Sequence, residues 1–408
     1  MKIVVVGAGV AGCTTAKALQ EAGHLVYLID QRSGCAKETS AHAGALAHPH
    51  LTRVPIPLQT LTRIACDHAY SKWHKQRLHT GAFLVMSLEK WVDDSTMVAR
   101  LKRLSLGPDH AQLFSSEAAL EKTGVFSQGV WYPKAGVYDL AAICEDAIKD
   151  IPAPHRIWNS SVSRMMPRGR EWVLFDQVDR EILSADAVVL AGSFHTKALL
   201  DKMGVDITLR SVRGQLSRFA IAKTSAWYDK MPKFALTGEG YCVPPVKMGD
   251  GRFLWQVGSS YHEGDEDLRP RDECDQHNRE QAQRLINRLE LPTGDLEALD
   301  PFVGVRCVAR DRMPMIGPIG ALPGVFVSTA YGARGVLWSA IAPSLVERQI
   351  HAYFAGEDLL RAGFLAGADA TVEADFALAV TPARFLAGTF SGRASNSKPI
   401  LPSGCRAK

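Results

Sequence analysis

The sequence lacks any C-x-x-C motif, although it contains eight cysteines, which are scattered from residue 13 to residue 405. Without closely spaced pairs, neither a redox dithiol nor a metal site is expected, and we predict no metal ligands. Several of the cysteines lie in apolar surroundings and are interpreted as small core residues. This cysteine usage favours a reducing, cytoplasmic setting.

Long apolar runs and a marked charge of either sign are also missing. No uninterrupted apolar stretch reaches the length of a membrane span. Only four apolar residues follow Lys2 before the first glycine, which is too few for the apolar region of a signal peptide. The net charge of +4 permits a polyanionic partner without requiring one. We therefore expect no membrane partner, and 408 residues suffice for two domains.

What the chain does have is a strand–helix–strand pattern at its start. Residues 3–6 are an apolar, β-branched run typical of a buried parallel strand. Residues 13–22 are predicted to form a helix and residues 25–29 a second strand, which Asp30 follows directly. This order predicts a βαβ unit.

Three glycines between the first strand and the helix indicate what this unit binds. They form G-x-G-x-x-G: Gly7 allows a tight turn, Gly9 lets the backbone approach a pyrophosphate, and Gly12 lets helix and strand pack closely. The helix N-terminus offers free N–H groups to phosphates, and Asp30 is placed to accept hydrogen bonds from a ribose. The alternative is a βαβ unit without a ligand. The combined spacing favours a bound dinucleotide.

Later segments indicate that the nucleotide-binding part returns in the middle and near the end of the chain. We predict a loop over 31–55, helices over 57–78, 140–148, 276–290 and 336–354, strands over 81–87, 130–132, 157–162, 171–175, 187–191 and 325–329, and β-like alternation over 205–260. A mainly β substrate domain is therefore expected between the nucleotide-binding elements.

The predicted domain boundaries follow from this order. Residues 1–78, 136–213 and 301–355 are assigned to the nucleotide-binding domain, and residues 79–135 and 214–300 to the substrate domain. Residues 356–408 form a basic C-terminal extension. It has no acidic residue after about position 376, and at least its last fifteen residues are predicted to be disordered.

Four later motifs carry a resemblance to a known family. They are Gly192 after its apolar strand, Arg213-Gly214-Gln215, the G-V-R-C segment with its D-x-x-P-x-I-G continuation over residues 304–317, and G-A-R-G at 332–335. This order resembles the D-amino-acid oxidase and glycine oxidase superfamily of FAD enzymes. The resemblance implies an α/β fold: a Rossmann-like FAD-binding domain of the glutathione-reductase type with an inserted, mainly antiparallel β substrate domain.

A closer resemblance involves residues 258–265, 304–311 and 331–335. These segments are similar to the oxidoreductase module of the bifunctional enzymes of 5-methylaminomethyl-2-thiouridine synthesis in tRNA. The resemblance runs from residue 1 to about 355. It implies FAD-dependent removal of the carboxymethyl group from 5-carboxymethylaminomethyl(-2-thio)uridine at the tRNA wobble position, which yields glyoxylate. Because the chain begins directly at the first strand, methyl transfer is expected to need a separate tRNA methyltransferase.

The resemblance also implies the residues around a noncovalently bound FAD. The expected cofactor contacts are Gly7, Gly9, Gly12, Asp30, Arg32, His42, Ala43, Gly44, Val162, Gly192, Gly332, Ala333, Arg334 and Gly335. The family's usual Ser-Gly-Asn-type turn is replaced here by the residues 40–44, S-A-H-A-G. The 332–335 loop before a helix suits negative charge on a reduced flavin, although an ordinary glycine turn is the alternative.

Arg306 is the leading substrate residue. Its planar guanidinium suits a carboxylate, and in the resembled family this arginine pairs with the substrate carboxylate. The alternative is a structural arginine between domains. Tyr241 and Tyr261 are predicted to line the same pocket, with β-domain packing as the alternative. His262 is either a base, an RNA contact or a member of a surface ion pair beside Glu263 and Asp265.

The expected partners are tRNA and dioxygen as electron acceptor. Basic side chains that phosphate contacts would require occur at Lys72, Lys75, Arg77, Lys102, Arg103, Arg164, Arg168 and Arg170. Two other functions compete with this interpretation: a small-molecule amine oxidase for glycine, sarcosine or D-amino acids, and a non-catalytic flavoprotein that serves as an RNA-binding or assembly subunit.

Overall fold

The computed structural model describes residues 1–87, 90–91, 93–286, 296–357 and 370–385. Within these residues the strands are β1 (Lys2–Val6), β2 (Leu25–Ile29), β3 (Ala43–Ala47), β4 (Arg77–Val85), β5 (Gln112–Phe114), β6 (Gly129–Asp139), β7 (Arg156–Ile157), β8 (Arg164–Arg168), β9 (Glu171–Phe175), β10 (Glu181–Ala185), β11 (Ala187–Leu190), β12 (Leu209–Ile221), β13 (Ala235–Gly238), β14 (Gly240–Cys242), β15 (Val246–Lys247), β16 (Phe253–Gly258), β17 (His262–Glu263), β18 (Glu297–Ala309), β19 (Met315–Pro318) and β20 (Val325–Thr329).

The helices of the same residues are α1 (Val10–Glu21), α2 (Pro57–Lys72), α3 (Asp94–Arg103), α4 (Ser116–Thr123), α5 (Leu140–Ile148), α6 (Phe194–Lys202), α7 (Asp272–Leu285), α8 (Gly335–Ala355) and α9 (Ala370–Val380). Short 3₁₀ turns cover Thr39–Ala41, Ala153–His155, Tyr228–Lys230 and Pro382–Phe385. No helix of the described residues combines the length and apolar character that crossing a bilayer requires.

One sheet has the order β19-β20-β11-β1-β2-β7, and all neighbours in it are parallel except β19 and β20. Both faces are covered, as parallel sheets require. Ile3 and Val5 of β1 belong to the core beneath α1, α5 and α8, whereas Val4 and Val6 belong to a second core that includes residues of α6 and of the β8–β10 sheet. The apolar run at residues 3–6 is therefore buried on both sides.

The second large sheet has the order β17-β12-β16-β14-β13-β4-β6-β3, with β15 beside β16, β18 beside β12 and β5 beside β6. Its neighbours are antiparallel apart from β13 and β4. β18 pairs with β12 along almost its whole length, and this register sets Arg306 opposite Val212 and Gly304 opposite Gly214. The predicted fold class, a Rossmann-like domain with an inserted mainly antiparallel sheet, is confirmed.

Several local predictions are wrong in informative ways. The segment 31–55, expected as a loop, contains β3, whose small residues A-G-A-L-A have little strand propensity and are held by pairing with β6. The helix expected over 57–78 ends at Lys72, and β4 begins at Arg77. Of the strand expected at 157–162, only Ile157 belongs to a strand, the two-residue β7 (Arg156–Ile157). The strands β8, β10 and β18 were not foreseen.

The proposed domain boundaries at 136, 213 and 301 fall inside β6, β12 and β18, so these strands pass through both parts; the division stays a prediction. In the C-terminal extension, α9 packs on the nucleotide-binding core through Phe376, Ala377 and Val380. Arg384 donates hydrogen bonds to both carboxylate oxygens of Asp311, at 2.8 and 3.2 Å. The residues predicted to be disordered at the end of the chain lie outside the described ones.

Candidate cofactor and substrate site

A cavity of about 390 Å³ lies where the parallel strands end. Its wall includes the residues after β1, Asp30 after β2, residues 191–193 after β11 and Ala330 after β20. Open α/β sheets bind ligands at the carboxyl ends of their strands. The cavity continues into the second sheet, where Thr237, Tyr241 and Arg306 line it. One space thus joins a nucleotide-type cleft to the antiparallel domain.

The glycine-rich turn is too tight for side chains at two positions. A Cβ atom on Gly12 would lie 1.8 Å from the Gly7 carbonyl oxygen, and one on Gly7 would lie 2.7 Å from the Ala191 carbonyl oxygen. Gly7 also has a φ of +106°, which favours glycine. Gly9 lines the cavity at the N-terminus of α1. This backbone leaves the space that a pyrophosphate needs beside a helix N-terminus.

Asp30 connects this turn to the loop that follows β2. Its carboxylate accepts hydrogen bonds from the backbone N–H groups of Ala8, at 2.6 Å, and Arg32, at 2.8 Å. Burial raises the pKa of Asp30, and the two N–H donors oppose that shift. The exposed Arg32 pairs with Glu38 at 2.8 Å. Both side chains line the cavity beside Asp30, so polar groups surround the expected ribose position.

At the other end of the nucleotide cleft, the 332–335 loop precedes α8. Gly332 has a φ of +55°, and its N–H donates to the Cys307 carbonyl at 3.0 Å. All four loop residues line the cavity, and α8 begins at Gly335. The N-terminal N–H groups of a long helix therefore lie at this wall, where they favour negative charge.

Arg306 lies in the wall between the two sheets. Its Nη2 donates a hydrogen bond to the Ser259 hydroxyl at 2.7 Å, whereas its buried Nη1 has no hydrogen-bond partner among the described residues. A Cβ atom on Gly214 would lie 2.2 Å from Nη1, so this glycine makes room for the guanidinium. Burial lowers the pKa of Arg306, which stays a cation at neutral pH. A cation with a free donor is suited to an anionic ligand.

His42 and Tyr241 form a pair beside this arginine. His42 Nε2 and the Tyr241 hydroxyl oxygen are 2.9 Å apart and share a hydrogen bond, and the imidazole stacks on Phe302 with 5.6 Å between ring centroids. Burial lowers the pKa of His42 to about 3, with the charge of Arg306 as a further cause. His42 is therefore neutral, and it holds the Tyr241 hydroxyl at the cavity wall.

The cavity brings most of the predicted site residues together. Its lining includes Gly7, Gly9, Asp30, Arg32, His42, Val162, Gly192, Gly332, Ala333, Arg334, Gly335, Tyr241 and Arg306. Gly12 packs beneath the turn instead. Ala43 and Gly44 lie against Gln256, whose Nε2 donates to the Ala43 carbonyl at 2.9 Å.

Tyr261 and His262 are not among the residues that line the described cavity. Tyr261 is 49% exposed. The His262 ring contacts the buried Cys274 thiol at 3.4 Å, and no ion pair with Glu263 or Asp265 is found among the described residues. Sequence reasoning missed Ser259, the partner of Arg306. Its place in the G-S-S-Y segment, two residues before Tyr261, was the available signal.

The glycine-rich βαβ unit, the acid after β2 and the cleft at the strand ends define a dinucleotide-binding α/β protein. The sequence model of the family described as FAD dependent oxidoreductase (DAO) matches residues 2–348. The chain therefore belongs to this family of FAD-dependent oxidoreductases.

Two relatives are named tRNA 5-methylaminomethyl-2-thiouridine biosynthesis bifunctional protein MnmC. The protein from Cupriavidus necator is 30% identical, over 94% of this chain and 60% of its own length. The protein from Cupriavidus metallidurans is 29% identical, over 94% of this chain and 58% of its own length. The chain thus spans about three fifths of the curated relatives it matches.

Solved structures resemble the fold at low sequence identity. Glycine oxidase from Geobacillus kaustophilus has a TM-score of 0.69 and 17% identity, over 87% of this chain and 95% of that protein. L-α-glycerophosphate oxidase from Mycoplasma pneumoniae, solved with FAD bound, has a TM-score of 0.70 and 16% identity, over 87% and 94% of the two chains. These likenesses show the shared fold.

Proposed function

We propose that this chain removes the carboxymethyl group from 5-carboxymethylaminomethyl(-2-thio)uridine at the wobble position of tRNA. The products are the 5-aminomethyl nucleoside and glyoxylate, and the reaction takes place in the cytoplasm, where tRNA is modified. The observation that carries the proposal is Arg306, a residue of the cavity wall whose buried Nη1 has no partner among the described residues. The relatives' names supply the RNA context.

The described residues fit FAD. The glycine turn, Asp30 and Val162 would hold its adenosine and pyrophosphate, and the 332–335 loop would face its isoalloxazine ring. When bound, FAD accepts two electrons and a hydrogen from the substrate's C–H bond, and dioxygen is the proposed final acceptor.

The residues around Arg306 orient the glycyl end of the substrate. The free Nη1 binds the carboxylate, while the Ser259 hydroxyl keeps the guanidinium in place through Nη2. The Tyr241 hydroxyl, held by neutral His42, lies at the same wall. Anchoring the carboxylate fixes the neighbouring methylene carbon for C–H cleavage. Oxidation of the C–N bond leaves an imine, which water hydrolyses to glyoxylate and the aminomethyl product.

We expect FAD to be bound without a covalent link. Cys307 lines the cavity, but burial raises the pKa of its thiol to about 11, so it stays protonated and weakly nucleophilic. Acid precipitation of the yellow protein should therefore release all flavin into the supernatant. Flavin that stays in the pellet would contradict noncovalent binding, and Cys307→Ser would then show whether this thiol forms the link.

Anaerobic mixing with tRNA that carries the carboxymethylaminomethyl group tests the proposed reaction. The visible absorbance of the oxidised flavin should bleach within one turnover, and glyoxylate should appear in equal amount. Free glycine should react far more slowly, because the RNA contributes binding energy that positions the reacting carbon. Unmodified tRNA is the matched control. Glycine or sarcosine turnover as fast as that of modified tRNA would instead assign the chain to the small-molecule amine oxidases.

A further inference from the structure

Two arginines of α3 donate hydrogen bonds to backbone carbonyls of the segment 50–53. Arg100 donates through Nε to the Thr52 carbonyl at 2.7 Å and through Nη2 to the Leu51 carbonyl at 3.5 Å. Arg103 donates through Nη2 to the Arg53 carbonyl at 2.7 Å. The fold thereby collects three guanidinium groups on one short stretch of backbone.

The same segment joins this group to the cavity mouth. Arg334 lines the cavity and donates through Nη2 to His50 Nδ1 at 3.4 Å. Burial lowers the pKa of His50 to about 4, with the positive charges of Arg334 and Arg312 as further causes. Arg312 follows the end of β18, where the Cys307 carbonyl accepts a hydrogen bond from the N–H of Gly332, two residues before Arg334. We call Arg334, Arg312, Arg100, Arg53 and Arg103 the arginine row.

The charges of the row have no carboxylate partner among the described residues. None of its five members forms an ion pair or a hydrogen bond with a carboxylate within the part of the chain that the structure describes. Asp311, the acid next to Arg312, is occupied by Arg384 at 2.8 Å. By contrast, Arg164 and Arg168 at the β8–β10 sheet each pair with an acid at 2.9 Å. Arginines without carboxylate partners are available to an external anion.

Three members of the row are exposed on the surface, where a large ligand can reach them. Arg53, Arg103 and Arg312 are exposed, and Val54 and Ile56 add exposed apolar side chains beside Arg53, with 53% and 40% exposure. A row of separated cations that starts at a cavity mouth matches a chain of separated phosphates better than it matches a single small anion.

We propose that the arginine row binds the sugar–phosphate backbone of single-stranded RNA next to the nucleotide whose base enters the cavity. This inference rests on the proposed function and assigns the RNA-binding surface that it requires. Arg334 lies at the inner end of the row, beside His50. Arg53 follows three residues later in the chain, and Arg103 at the end of α3 donates to its carbonyl.

Neutralising three exposed members tests the row. The variant Arg53→Gln/Arg103→Gln/Arg312→Gln should bind a labelled anticodon stem-loop RNA about tenfold more weakly at low salt, by fluorescence anisotropy. The slope of log affinity against log salt should become shallower by about two, because each phosphate contact contributes about 0.7. Arg164→Gln/Arg168→Gln/Arg170→Gln removes the same charge elsewhere and should bind like the wild type.

The outcomes separate the surface from the reaction. Equal RNA binding by the row variant and the wild type would overturn the proposal that the row binds RNA. Loss of binding in the control variant alone would overturn it as well. Binding of anionic vesicles without salt-dependent binding of RNA would overturn it too. Salt-dependent RNA binding through the row, without flavin reduction by modified RNA, would support the RNA-binding surface and contradict the proposed reaction. If the triple variant does not retain FAD, Arg53→Glu against Arg170→Glu provides the same comparison.

Discussion

Turnover of modified tRNA should be abolished in Arg306→Ala, while FAD stays bound. The guanidinium contacts Ser259, its Nη1 is the proposed partner of the substrate carboxylate, and no contact of the residue with the glycine-rich turn is found among the described residues. Removing one partner of a buried charged pair costs about 2–5 kcal/mol. The measurement is steady-state glyoxylate formation, together with the flavin content of the purified variant.

Arg306→Lys is the matched control. It retains the positive charge but loses the planar fork, so it should recover only part of the activity. The lysine also lacks the Nη2 group that donates to the Ser259 hydroxyl at 2.7 Å, so Ser259 should fix its side chain less firmly. Near-wild-type kinetics in Arg306→Ala would show that another residue binds the carboxylate.

Gly214→Ala is expected to impair the enzyme without removing any functional group. The added methyl carbon would lie 2.2 Å from Arg306 Nη1 and 2.5 Å from Nη2, so the guanidinium must leave its position. Overpacking of this kind costs about 1–3 kcal/mol, because neighbouring groups must shift. We expect kcat/KM for modified tRNA to fall by at least tenfold, with FAD retained.

A double-mutant cycle shows whether this effect acts through Arg306. If displacement of the guanidinium is the cause, Gly214→Ala should have little further effect on kcat/KM in the Arg306→Ala background. Additive effects would mean that the methyl group disturbs the β12–β18 pairing itself, and thermal unfolding of the two single variants would reveal that disturbance.

Local sequence was sufficient where the structure is built from neighbouring residues. The βαβ unit could be predicted because its two strands, its helix and its glycines are continuous in the chain. β2, α5, β9 and β20 occur at the predicted residues. β18 was missed because its sequence, E-A-L-D-P-F-V-G-V-R-C-V-A, includes Asp300 and Pro301, which are rare inside strands, and its pairing with β12 outweighs their propensities.

The dinucleotide cleft and the family follow from the sequence alone, because short continuous motifs carry them, and such a motif also predicts Arg306 as the leading substrate residue. The groups that surround that arginine depend on the folded arrangement of distant segments. Ser259 reaches it across 47 residues, and Gly214 makes its space from the neighbouring strand. The arginine row likewise combines residues from four separate segments of the chain. Such long-range contacts depend on strand register and on the packing of α3 and α8. Hydrophobic periodicity does not encode either of these.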